Sequence, residues 1–362
     1  MIASMPPYRA EDFGHSPFIV FYEVTRACDL ACAHCRACAQ VRPHPGELTT
    51  EQSKALLDQF ASFPRPPIVV FTGGDPLKRA DVRELTSYAR SIDLTPTMTP
   101  SATPLVTRKA LAELKDAGLT RLALSLDAVD AATHDAFRQV EGSFDRTLAV
   151  LADARELGLP IQVNTTITRR NVHQVDAMAD LLAQQGIVLW SVFFLVPVGR
   201  GLRERRISPA QYERVFEQLW QHAQTQPYGI KTTEAHHYRR FVLERSGDPQ
   251  SELAQHAAGP VKRAPLGIGD GRGVMFVSHT GQVFPSGFMP LECGRFPRDS
   301  VVDAYQNSET MRQLRDPDQF HGKCGICEYR HVCGGSRARA YAVTRDPLAS
   351  EPDCDYLPRA LR

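Results

Sequence analysis

Apolar positions in the first 200 residues come in short, nearly continuous runs separated by longer stretches with a helical period. The runs are FIVFYEV (18–24), PIVVFTG (67–73), LTPTMTP (94–100), RLALSLD (121–127), PIQVNTTIT (160–168) and IVLWSVFFLVP (187–197). Runs this dense predict parallel strands covered on both faces, not the alternation of a half-exposed sheet. Between them lie amphipathic segments, among them TTEQSKALLDQFASF (49–63), TRKALAELKDAGL (107–119) and DRTLAVLADARELGL (145–159). Each is entered by Thr or Asp, whose side-chain oxygen accepts from a free N–H of the first turn, and two are left through Gly. Repeated strand and helix units with right-handed crossovers build an open sheet or a barrel.

The pattern changes after residue 207. A polar, helix-rich stretch runs from Ser208 to about His256, and GVMFVSHTGQVFPSGFMP then reads as two strands turning at Thr280 and Gly281. The tail beyond is rich in Cys, Arg and Gly. The expected division is an N-terminal extension (1–17), a strand and helix core (18–207), a helical linker (208–260) and a small C-terminal domain (261–362). A chain of 362 residues, 43% of them hydrophobic, is long enough for one large and one small domain. With 42 basic and 41 acidic residues the charge balance favours no nucleic acid and no membrane surface as partner, and leaves a small-molecule or peptide substrate. Neither a signal-peptide pattern nor an apolar run of spanning length is found, so a cytoplasmic location is expected.

In the cytoplasm thiols stay reduced, and clustered cysteines are then more often metal ligands or catalysts than disulfides. TRACDLACAHCRAC (25–38) holds four of the nine cysteines, and Cys28, Cys32 and Cys35 follow the first strand with C-x3-C-x2-C spacing. Structural zinc wants four closed ligands, the fourth here from His34 or Cys38. Three thiolates alone suit an iron–sulfur cube with one iron left open, which is a catalytic arrangement. Near the C-terminus Cys324, Cys327, Cys333 and Cys354 form a four-thiolate set that by itself reads first as structural zinc.

CDLACAHC after a strand and ahead of strand and helix units resembles the signature of the radical S-adenosylmethionine enzymes. The resemblance implies an α/β fold, a partial (β/α)6 TIM-like barrel. It also implies a [4Fe-4S] cluster on Cys28, Cys32 and Cys35 that binds S-adenosylmethionine. An external one-electron reductant, flavodoxin- or ferredoxin-like, would drive cleavage to a 5′-deoxyadenosyl radical that abstracts hydrogen from substrate. His34 replaces the usual aromatic residue. By the same resemblance Gly73, Gly74 and Asp75 of FTGGDP would bind the cofactor's amino group, with Asp for the family's Glu. Ser125 and Asp127 of SLD would lie beside its ribose and carboxylate, and Arg138 would pair with that carboxylate. Asn164 and Thr166 share the side expected to face the barrel interior. In LVPVGRG, Gly199 and Gly201 would line the adenine pocket and Arg200 would face substrate.

The tail, CGICEYRHVCGGSRARAYAVTRDPLASEPDC, resembles a SPASM or twitch domain. Arg337 and Ser286 stand where that pattern has cysteines. What the resemblance implies is one auxiliary [4Fe-4S] cluster on Cys324, Cys327, Cys333 and Cys354, with Cys293 and Cys38 outside the ligand sets. FYEVTRACDLACAHCRA together with LVPVGRG resembles the haem and d-type-haem branch, which acts on tetrapyrrole propionates. Alternatives are a peptide maturase forming thioether or carbon–carbon links, and a non-catalytic iron–sulfur or zinc redox module. His236, His237, Arg239 and Arg240 of KTTEAHHYRR suit anionic carboxylates by charge, and equally a solvated helix face.

Overall fold

The computed structural model describes residues 8–246 and 267–362. Its centre is one sheet whose strands run β11-β10-β9-β1-β2-β3-β4-β5-β6-β7, with β8 (Gly269–Asp270) paired to β9. Strands β1 (Ile19–Thr25), β2 (Ile68–Gly73), β3 (Thr95–Met98), β4 (Arg121–Ser125), β5 (Ile161–Ile167) and β6 (Leu189–Phe194) are the six expected runs, and all neighbours are parallel. Helices cover the outer face, and the residues between are dry: Leu56, Leu85, Leu111, Leu151, Leu182 and Trp190 are fully buried. Inward-facing side chains of all six strands line one cavity, so the sheet curls into a partial barrel.

The helix boundaries follow their capping chemistry. Helix Thr50–Ala61 starts at a reciprocal box in which Thr49 Oγ1 accepts from Gln52 N–H and the Gln52 side chain accepts from Thr49 N–H. Helix Arg108–Asp116 is capped by Thr107. Helix Ser143–Glu156 starts two residues earlier than expected, after Gly142 at φ +75°, and Asp145 lies in its first turn, where a carboxylate meets the positive end of the helix dipole.

Two expectations need correction. The stretch read as a helical linker contains a seventh parallel strand, β7 (Gly229–Thr233), on β6, besides helices Pro209–Thr225 and Tyr238–Ser246. GIKTT escapes detection because its inward positions, Lys231 and Thr233, face the cavity and carry no apolar signal. Nor does the tail stand apart from the sheet. β9 (Gly273–Val277) pairs parallel with β1, then turns into β10 (Gln282–Phe284), whose partner is β11 (Gly294–Arg295). That hairpin is the expected one, whereas the boundary near 260 lies outside the described residues.

Candidate functional site

The cavity holds about 710 Å³ and runs from the N-terminal to the C-terminal ends of the strands. At the C-terminal end, the loop after β1 carries Cys28, Cys32 and Cys35 to its wall, where Gly73, Gly74, Ser125, Arg138, Asn164 and Thr166 join them. Backbone bonds hold the loop: Cys28 N–H donates to Gln40 O at 2.8 Å and Ala33 N–H to Phe137 O at 2.8 Å. Leu30 N–H points at Cys28 Sγ (3.3 Å), Arg138 Nη1 at Cys32 Sγ (3.7 Å), and the Ser101 hydroxyl lies 3.4 Å from Cys28 Sγ. Burial pushes the Cys28 and Cys32 thiols up, so in this setting a metal ion is what would hold them as thiolates.

Arg138 ends helix Ala131–Arg138, which Asp130 caps. Its Nη2 lies 2.5 Å from Asp127 Oδ2, while Asp127 Oδ1 accepts from Thr166 N–H at 2.8 Å. Burial is the largest influence and opposes the charge on Asp127, but the Arg138 guanidinium, the neighbouring His34 and His134 and the Thr166 N–H together outweigh it and hold the carboxyl low. The pair is close but poorly aligned for a hydrogen bond, and Arg138 Nε is buried without a partner. A donor is thus left over beside the thiols. Asn164 Oδ1 accepts from Gln162 Nε2 at 2.7 Å.

Four expected cofactor contacts and one substrate contact do not line the cavity. Asp75 is fully buried, accepting from Leu77 N–H (3.2 Å) and from the Thr103 hydroxyl (2.7 Å). Its short side chain folds back on its own turn as an Asx cap. Asp127 acts on Arg138 and does not itself line the wall. Gly199, at φ +56°, packs on the cysteine loop, where a Cβ would stand 2.4 Å from Arg36 O and 2.6 Å from Cys35 O. Arg200 likewise grips that loop through Cys32 O (2.8 Å) and Ala39 O (3.1 Å) and does not face substrate space. Gly201 packs near His34 O. Ser101, beyond the third strand, is a site residue that the sequence reading misses; its position at a strand end is the signal that marks it.

The tail cysteines also converge. Cys324, Cys327, Cys333 and Cys354 line one small hollow, and Cys293 and Cys38 do not. Glu351 N–H (3.3 Å) and Arg337 Nη2 (3.6 Å) point at Cys324 Sγ, and Gly335 N–H at Cys333 Sγ (3.3 Å). Arg337, standing at a missing-cysteine position, thus donates to the set it does not join. All nine cysteines are free thiols. Among the described residues, no three His, Cys, Asp or Glu side chains are gathered as tightly as a single metal ion requires. The three-thiol loop with a spare guanidinium donor fits an open-iron cluster with a carboxylate ligand. His236, His237, Arg239 and Arg240 of KTTEAHHYRR form no solvated face. His236 and Arg239 border the cavity, His237 packs on Phe216, and Arg240 pairs with Glu213 and Glu244.

A family model described as "Radical SAM superfamily" matches residues 22–182. The chain is 41% identical over 359 residues to an AdoMet-dependent heme synthase of Nitratidesulfovibrio vulgaris, covering 98% of this chain and 96% of that one. It is 38% identical to an AdoMet-dependent heme synthase of Methanosarcina barkeri, covering 95% and 98%. In fold it is similar to SuiB of Streptococcus suis bound to S-adenosylmethionine, with TM-score 0.73, 16% identity, and coverage of 94% and 78%.

Proposed function

The chain belongs to the radical S-adenosylmethionine superfamily, and from that premise we propose that it converts propionate side chains of an iron tetrapyrrole to vinyl groups. It is an enzyme of the kind that uses a [4Fe-4S] cluster and S-adenosylmethionine. In this reading Cys28, Cys32 and Cys35 hold that cluster and Arg138, set by Asp127, takes the cofactor carboxylate. A cluster held there would, once reduced by one electron, supply the cleavage of S-adenosylmethionine that yields a hydrogen-abstracting radical. The substrate loses one hydrogen atom beside the propionate chain's carboxyl-bearing carbon, then carbon dioxide and one electron, leaving a carbon–carbon double bond. Both electrons are accounted for: the first comes from an external flavodoxin- or ferredoxin-like donor, and the second leaves to an acceptor. The auxiliary cluster proposed on Cys324, Cys327, Cys333 and Cys354 is suited to electron transfer.

One observation carries the reading: full-length similarity to heme synthases coincides with a cavity whose volume of about 710 Å³ lies in the range of ligand sites and is walled largely by apolar groups. The residues' own task is exclusion and orientation. Phe193, Val196, Phe276 and Phe288 wall the cavity at the cysteine end and keep water from the reacting carbon. Among the described residues no helix is long and apolar enough to cross a membrane. The test is anaerobic incubation of reconstituted protein with iron coproporphyrin III, S-adenosylmethionine and dithionite. The expected product has lost carbon dioxide and two hydrogens per converted side chain. Formation of 5′-deoxyadenosine with the macrocycle unchanged refutes the assignment.

A further inference from the structure

The polar strand that sequence patterning misses carries one of two cations on the cavity wall that have, among the described residues, neither a counter-charge nor a hydrogen bond. Arg121 opens β4 and Lys231 lies in the middle of β7, and both side chains line the cavity. By strand alternation Arg121, Ala123 and Ser125 share the inner side of β4, and Gly229, Lys231 and Thr233 that of β7. Two strands separate β4 from β7, but the curl of the sheet turns both inward. Lys231 feels the result: burial, and then the charge of Arg121, lower its amine to about 8.

Among the described residues neither side chain has a hydrogen bond or an ion pair, and no carboxylate offsets the burial of either. This is not the habit of the chain. The other cations on the cavity wall have partners: Arg138 pairs with Asp127, Arg36 with Glu23, and Arg239 donates to the carbonyls of Val332 and Ile268. Two like charges facing one cavity without an acid are costly unless an anion joins them. The neighbouring wall is apolar, with Ile187, Leu189, Trp220 and Tyr228, so the fitting ligand is a carboxylate on a large apolar body. A guanidinium fork meets a carboxylate in two parallel bonds, and an ammonium adds a point charge.

Position sets the size of that body. Arg121 precedes Ser125 by four residues on one strand, about 13 Å at ~3.3 Å per residue, and Ser125 lies at the cysteine end. A ligand engaged at both ends is therefore broad, with acidic groups at opposite edges. We propose that Arg121 and Lys231 form an anion subsite that grips a non-reacting propionate of the tetrapyrrole and so turns the opposite edge toward Cys28, Cys32 and Cys35. The occupant rests on the function proposed above; the subsite makes these two residues determinants of substrate orientation.

The test is equilibrium titration, by the absorbance of the macrocycle, of anaerobically reconstituted protein with iron coproporphyrin III and with its tetramethyl ester. The double variant Arg121→Gln/Lys231→Met is expected to bind the free acid about tenfold or more weakly, the scale of a lost charged hydrogen bond, and the ester as the wild type does. Arg121→Lys, which keeps the charge, retains most of the preference for the acid. Iron content and affinity for S-adenosylmethionine report whether fold and cofactor site survive, and if the double variant loses iron, the single variants Arg121→Lys and Lys231→Gln carry the comparison. Equal loss for acid and ester, or no loss for either, overturns the subsite while the proposed function stands. A wild type that binds neither tetrapyrrole overturns that function and the subsite with it.

Discussion

Arg339 fastens the tail to the barrel, and its replacement by methionine should loosen the whole molecule. It lies on helix Arg337–Thr344 with no exposed surface. Nη1 meets Glu351 Oε2 at 3.0 Å, Nε lies 3.3 Å from Asp353 Oδ2, and the guanidinium donates to the carbonyls of Phe194 and Leu195 at 3.2 Å each. Methionine matches the length and loses the charge, leaving Glu351 buried with no cation. Breaking a buried pair from one side costs about 3–5 kcal/mol. At ~2.1 cal/mol/K per residue, 362 residues give an unfolding entropy of roughly 0.76 kcal/mol/K, so the melting temperature should fall by roughly 4–7 °C. Trp190, buried on β6 four residues before Phe194, reports the change by fluorescence during heating. The double variant Arg339→Met/Glu351→Leu should recover most of the loss, because no carboxylate is then stranded; Asp353 keeps Arg206 (2.9 Å) and Tyr212 (3.1 Å). A single variant melting within about 1 °C of wild type, or a double variant melting below the single one, refutes the reasoning.

Other outcomes follow from the same geometry. Arg138→Met should weaken S-adenosylmethionine binding about tenfold or more in equilibrium dialysis, since a charged donor to a carboxylate is lost. Gly199→Ala forces a Cβ against the Cys35 and Arg36 carbonyls, and its iron content after reconstitution should fall toward that of a Cys28→Ala variant. Replacing Cys28, Cys32 and Cys35 together by alanine should leave about four irons on the tail cysteines, and one zinc with no iron would exclude the auxiliary cluster. Burial, and next Arg138, lower His134 to about 4, so it stays neutral in the fold while the unfolded chain protonates near 6.5. Stability is then full above about 6.5 and falls toward pH 4 by up to ~1.4 kcal/mol per pH unit for this group. His134→Asn, which keeps an acceptor for Asp127 N–H, should reduce the pH slope of the urea midpoint across that window, the remainder belonging to His34, His236 and His237, and an unchanged slope would show that His134 does not titrate there.

The parallel strands were legible because both of their faces are covered, so their apolar runs are continuous. β7 was not, because its inner face meets a cavity and its sequence alternates toward polarity. That the cysteines would converge was legible from their spacing, whereas the choice of iron–sulfur clusters over zinc came from the resemblance and not from spacing. The strand-end residues were partly legible: Ser125, Asn164 and Thr166 face the cavity as alternation requires. Asp75 and Gly199 lie off the cavity wall, since position in a motif says where a residue lies and not what it packs against. A carboxylate one methylene shorter than the family's prefers its own turn, and a glycine beside a loop can serve the loop's backbone. Arg121 and Lys231 carried no signal, since a charge at a strand position looks like a solvated edge until the curvature of the sheet is known.

The tail's position bears on how the two cysteine sets work together. β9 enters the sheet beside β1, the strand that leads into the first cysteine loop, whereas the tail cysteines gather beside His237 and Arg240, just past β7. Arg36, next to Cys35, stacks over Phe276 of β9 at 4.4 Å and pairs with Glu23 of β1, which in turn meets His279 at 2.7 Å. At the other end Arg339 and Glu234 tie the tail helix to β6 and to the end of β7. The tail is thus bound at both edges of the parallel core, across the cavity mouth where Ser286, Gly287 and Phe288 complete the wall. An extension held only to carry a cluster would need neither edge. One that also closes the substrate chamber needs both, which is why loss of Arg339 should disturb substrate binding before it disturbs the binding of S-adenosylmethionine.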